Sequence, residues 1–283
     1  MGIGKAVFLL PLSLALVIVT CRDSNAQPSD TLLLPYMEPL WDFDDARSAE
    51  LRFDGTLFIT DAGTGNLYTF LLDTATVKPG QLVPGLRNPD GLTLVMETYT
   101  AVASPTAGEV TLLDEELVYM RDVSVPSWVP GADTFQPGDI TSNAFGELFI
   151  LDGLAGRVYH FNANGAYLHH IELKDMISPA RIVYYEESLF IADPGSGKLH
   201  VLSDSGHELA TIGTFPELSR VRILDDTIWI LSGGVAHIFA MTGEHIGNLK
   251  PEKPTGALRD VAGDGNQVFL LTHGSLYFWR STP

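Results

Sequence analysis

Short apolar runs alternate with polar turns along most of this chain, and within each run apolar and polar positions alternate with a period of two. Three stretches are close copies: LFITDAGTGNLYTF (residues 57–70), LFILDGLAGRVYHF (148–161) and LFIADPGSGKLHVL (189–202). Looser copies are AVASPTAGEVTLL (101–113), IWILSGGVAHIFA (228–240) and VFLLTHGSLYFW (268–279). In each, an apolar strand ends in a small polar residue, a tight turn follows, and an apolar strand resumes. Period-two alternation predicts strands, and no segment sustains a helical period. Copies recurring about every 40 residues predict a ring of small antiparallel sheets.

The pattern predicts four strands per repeat. An inner strand precedes each copy, near Leu51, at 91–94, 139–142, 181–184, 220–223 and 260–262. The copy supplies the second and third strands. An outer strand follows a hairpin marked by Asn164-Gly165, Ser205-Gly206 or Thr242-Gly243, where glycine admits positive φ. The sixth repeat stops after three strands, and the spare apolar run at 31–34 is the natural donor of the fourth. The predicted fold is therefore all-β, a six-bladed β-propeller closed by an N-terminal strand that completes the last blade and hides an open edge. The longest connector, 121–136, contains Trp128 between two prolines, and packing into a gap is the expected role of that ring.

Composition adds compartment and partner class. The formal net charge is −18, with no basic stripe to attract nucleic acid or an anionic bilayer, so no nucleic-acid partner is expected. Residues 1–26 read as an export signal: Lys5, then an apolar stretch, then small residues up to Ala26. Cleavage after Ala26 leaves 15 basic against 34 acidic residues, a net −19. The alternative is lipidation at Cys21, the sole cysteine, after a loose lipobox. Either way the domain is expected to be exported (periplasmic, outer-membrane-associated or secreted), without a disulfide and without a second stretch able to span a bilayer. The expected division is 1–26 signal, 27–45 tether and closing strand, and 46–283 propeller.

Asn88-Pro89-Asp90-Gly91-Leu92, residues 146–152 (GELFILD) and Gly156-Arg157-Val158 resemble the NHL-repeat pattern. That pattern has a Pro-x-Gly-Ile start, a Gly-x-Leu-Tyr-Val-x-Asp strand end and a turn into Arg-Val. The resemblance covers about residues 45–280 and weakens where Ser104, Ser232 and Thr272 replace the aspartate. It implies a bacterial six-bladed ring used to bind proteins or small ligands, although some propellers of this group are enzymes, and fold does not fix function.

Two constellations carry candidate chemistry. Asp61, Asp152 and Asp193 precede the tight turns, where a carboxylate accepts backbone N–H bonds and pins the turn. The first residues of the inner strands crowd one mouth of the channel: Asp139, Arg181, Arg220 and Asp260, with Asp90 adjacent. Arginine is suited to bidentate capture of a carboxylate or phosphate, so these five residues are the expected ligand site for a protein, peptide or small anionic ligand. Mutual salt-bridging across the channel is the competing expectation. A metal is the second reading. Gluconolactonase- and regucalcin-like propellers hold a divalent cation at this mouth. Glu50 and Asp90 are the candidate ligands here, and Ca²⁺ the candidate ion, although the surrounding sequence matches that family poorly. No cofactor is expected otherwise. The eight histidines form no H-E-x-x-H pair, no G-x-S-x-G occurs, and Gly195-Ser-Gly-Lys198 reads as a blade turn, since no helix follows it. The function expected is that of a non-catalytic binding scaffold. The alternative is a metal-dependent hydrolase or lyase of the lactonase-like class.

Overall fold

The computed structural model describes residues 31–34, 38–72, 77–251, 257–263 and 267–280. The export signal, Cys21 and the tether at 27–30 lie outside them. Six sheets, each with four antiparallel strands, follow one another around the ring. The inner strands are Ala46–Leu51, Leu92–Val95, Asp139–Ser142, Arg181–Tyr185, Leu218–Leu224 and Leu258–Gly263, for blades one to six. Among the described residues there is no α-helix, only one 3-10 turn at Ala132–Thr134. The strands read from sequence are present, but the second strands do not alternate in burial: Leu148–Asp152 and Thr56–Asp61 are buried at every position, because both faces of each sheet pack on a neighbouring blade.

Six apolar clusters fill the six blade interfaces. Ile59 and Phe70 of blade one pack with Phe269 and Leu271 of blade six, and Phe149 and Leu151 of blade three with Ile182 and Ile191 of blade four. The other four interfaces are built alike. Gly165, Gly206 and Gly243 take positive φ in the third-to-fourth strand turns, as their sequences require.

Ring closure differs from expectation in one respect. The strand Thr31–Leu34 does not complete blade six. It pairs in parallel with His245–Pro251, as a fifth, outermost strand of blade five. Blade six takes its fourth strand from Trp41–Asp42, antiparallel to Ser275–Arg280. That short strand is extended by Leu40 N–H to the Leu276 carbonyl (2.8 Å), Phe43 N–H to Gly274 (2.7 Å) and Ala46 N–H to His273 (2.8 Å). It is also anchored across the seam: Trp41 meets the Phe70 ring edge-on at 5.6 Å and Phe43 meets Tyr68 at 5.4 Å, both in blade one. The 31–34 run has the stronger apolar signal, but the aromatic anchors decide which segment closes the ring.

Trp128 does not plug a gap. Its side chain is 73% exposed and rests edge-on against Tyr167 at 5.5 Å.

Candidate functional site at the channel hub

The inner strands all begin at one end of the channel, the upper mouth, where the second-to-third strand turns also lie. The turn aspartates are structural. Asp193 accepts N–H bonds from Ile177 (2.9 Å), Ser178 (2.7 Å) and Gly195 (3.1 Å), and the Ser196 hydroxyl (2.7 Å). It thus fastens the incoming connector and the turn together. Asp61 does the same with Asp45, Gly63 and Thr64, and Asp152 with Gln136 and Ala155. Thr272 accepts the Ser275 N–H (3.0 Å), whereas Ser232 instead donates to the Pro216 carbonyl.

Charged residues in or next to the inner strands pair across the upper mouth, with Arg220 and Arg222 at the hub. Arg220, from blade five, is 1% exposed. It donates to Asp139 of blade three (3.2 Å), Asp260 of blade six (2.5 Å) and the Ser48 hydroxyl of blade one (2.6 Å). Arg222 donates twice to Asp260 (2.8 and 2.6 Å), to the Ala49 carbonyl (2.8 Å) and to Glu50. Asp260 also accepts the Ala49 N–H (2.8 Å), and Asp139 the Ile182 N–H (2.9 Å), so each carboxylate caps the inner strand of the next blade. Arg181, from blade four, pairs with Asp90 ahead of blade two (3.1 Å) and donates to the Gly138 carbonyl (3.1 Å). Every blade is joined to another through these contacts.

Burial alone would push the Asp260 carboxyl up, but Arg220 and Arg222 outweigh it and hold it well below the ordinary carboxylate range. The same pairing raises Arg222 against its own burial, through Asp260 and Glu50, and raises Arg181 through Asp90, Asp139 and Asp260. Glu50 goes the other way. Enclosure by the channel raises it more than Arg222 lowers it, although a quarter of its side chain remains accessible.

The five residues expected at the mouth therefore do come to one end of the channel, but in two groups: Arg220 with Asp139 and Asp260, and Arg181 with Asp90. Ser48 and Arg222 were not foreseen. Arg222 is two residues from Arg220, so period two alone could have placed both on one face. Ser48 was hidden by a bulge. The inner strands of blades five, six and one each slip register immediately before Arg220, Asp260 and Ser48, and a bulge re-aims the side chains beside it.

The metal reading does not fit this donor set. Glu50 is bound to Arg222 and Asp90 to Arg181, and both arginines would repel a cation. Among the described residues no group of three or more His, Cys, Asp or Glu side chains is placed to hold one. No helix of the described residues is long and apolar enough to cross a membrane.

No family model matches the sequence, and no curated protein matches it. Solved structures do. A streptogramin B lyase is similar over 88% of each chain, with a TM-score of 0.62 at 13% identity. A protein provisionally named a gluconolactonase covers 86% of this chain and 91% of its own, with a TM-score of 0.68 at 14% identity. An inactive histidine-to-alanine variant of virginiamycin B lyase from Staphylococcus aureus, bound to quinupristin, covers 83% and 80%, with a TM-score of 0.61 at 16% identity. The chain is a six-bladed β-propeller. At such identities the likeness shows the fold alone.

Proposed function

We infer that this is an exported, non-catalytic propeller of the NHL-like kind that binds a protein, peptide or small anionic ligand at its upper mouth. The observation that carries this reading is the pairing inside the hub. Arg220, Asp139 and Asp260 pair with one another in a buried setting, leaving only the Arg220 Nε of that guanidinium without a partner, so they hold the mouth rigid instead of offering a reactive group. Arg181 is the exchangeable cation. It is held by one carboxylate at 3.1 Å and by main-chain carbonyls, and an incoming carboxylate or phosphate can take the place of Asp90 on its guanidinium. The lyase and lactonase names among the structural neighbours keep a hydrolase or lyase as the second reading, without the divalent cation that the donor set does not favour.

Thermal-shift titration with small carboxylates, phosphates and short peptides tests the binding reading. A ligand that binds only the folded state at a hundred times its Kd adds about 2.7 kcal/mol of stability. One of these classes is expected to raise the Tm, and Arg181→Ala to abolish the rise without lowering the Tm of the free protein by more than a few degrees. An unchanged rise in Arg181→Ala, or steady turnover of a lactone by the wild-type protein, would overturn the reading.

A further inference from the structure

The opposite end of the ring has a different chemistry. The first-to-second strand turns, which leave the inner strands at this lower mouth, carry large apolar side chains in blades one to three. Phe53 is 82% exposed, Phe145 78% and Met96 more than half. They are not scattered. The Phe53 N–H reaches the Glu97 carboxylate at 3.5 Å, next to Met96, and the Met96 thioether lies against Gly146, next to Phe145. The row is therefore continuous across three blades. Beside it, between blades one and two, opens a cleft of about 240 Å³ walled by Phe58, Leu71 and Leu117, with Glu115 also on its wall.

The rest of this mouth is acidic. In blades four and five the turns that follow the inner strands are Glu186-Glu187 and Asp225-Asp226, and Glu97 and Asp54 sit within the apolar row. Among the described residues of the lower-mouth turns, Arg52 is the only Lys or Arg, and Asp54 already binds it at 3.0 and 2.7 Å. The Arg121 guanidinium reaches the Ala163 carbonyl at 3.5 Å on the blade-three hairpin, and the acids of this mouth still outnumber the bases. Exposed aromatic and Met side chains in a contiguous row mark an interaction surface. Unbalanced negative charge around them selects the sign of what docks there. A second copy of this strongly acidic chain is disfavoured by the same field.

We propose that the lower mouth docks a basic segment of another protein, placing its apolar side chains on Phe53, Met96 and Phe145 and its lysines or arginines toward Glu186, Glu187, Asp225 and Asp226. This surface is separate from Arg181 and the upper mouth.

Fluorescence anisotropy with a labelled peptide of alternating lysine and leucine tests it on the full folded domain. The peptide is expected to bind, and to weaken as salt screens the rim charges. Phe53→Ser combined with Phe145→Ser should weaken it at least about tenfold with an unchanged Tm, as loss of central apolar anchors does. Glu186→Gln with Glu187→Gln should weaken it less, and Arg181→Ala should leave it unchanged, which separates this surface from the ligand site above. Equal binding of a lysine–serine peptide would reduce the interaction to bulk charge and overturn the proposal. So would equal binding of a glutamate–leucine peptide, unchanged binding by the double serine variant, or preference for lipid vesicles over the peptide.

Discussion

A single carboxylate carries much of each blade's geometry. Burial by itself would raise Asp193, but N–H bonds from Ile177, Ser178 and Gly195 and the hydroxyl of Ser196 outweigh it and lower its pKa. Asp193→Ala leaves those donors unpaired and should cost about 2–3 kcal/mol in chemical denaturation. The pH dependence follows in sign. Asp193 and Asp260 titrate lower in the folded than in the unfolded protein. Their contribution is fully present above the unfolded value, near 3.9, and is lost as pH falls through the lower folded values. The Tm should therefore hold on acidification to about pH 4 and fall only below it. Tyr185 gives the alkaline counterpart. Its hydroxyl donates to Asp226 at 2.5 Å, which pushes it up to about 12. That contribution is present below the ordinary tyrosine value and is lost as pH rises through about 12. Ultraviolet titration should show a late tyrosine that is absent in Tyr185→Phe, beside the raised Tyr119, Tyr167 and Tyr184. The turn aspartates were legible in sequence through their local bonds to the turn, such as Asp193 with Gly195 and Ser196, but not through their bonds to the connector about 16 residues back. Arg222 and Ser48 were not read, since their partners lie in other blades.

Strands were legible where apolar alternation dictates them and misassigned where tertiary anchoring decides. Residues 31–34 read as the closing strand because they are a clean apolar run, yet Trp41–Asp42 closes blade six, since Trp41 and Phe43 lock onto Phe70 and Tyr68. Deleting residues 27–36 should accordingly cost little stability, whereas Trp41→Ala with Phe43→Ala should lower the Tm clearly and increase aggregation through the freed edge of Ser275–Arg280. The lower-mouth hairpins show a second override. Glu186, Glu187, Asp225 and Asp226 all have positive φ, from 44° to 62°, in two-residue turns that favour Asn-Gly. Replacing Glu186-Glu187 by Asn-Gly should raise stability by about 1–2 kcal/mol, whereas Asp226 must be kept as the partner of Tyr185. No alternation pattern announces such turns, because their backbone is set by the strands they join.

At the scale of the whole molecule the copies fixed the number of blades, and the first residues of the inner strands foretold a charged mouth. Which charges pair could not be read, because Arg220 reaches partners 40, 81 and 172 residues away and three bulges decide its aim. The resulting hub ties blades one, three, five and six through one buried guanidinium, while Arg181 ties blade four to blade two at the rim. Breaking a buried pair by removing one partner costs about 3–5 kcal/mol, and in a domain of this size each kcal/mol shifts the Tm by about 2–4 °C. The most direct test compares thermal unfolding of Arg220→Met with that of Arg181→Ala. The hub account predicts a drop of roughly 6–20 °C for Arg220→Met and only a few degrees for Arg181→Ala. Equal small drops, or the larger drop for Arg181→Ala, would contradict it.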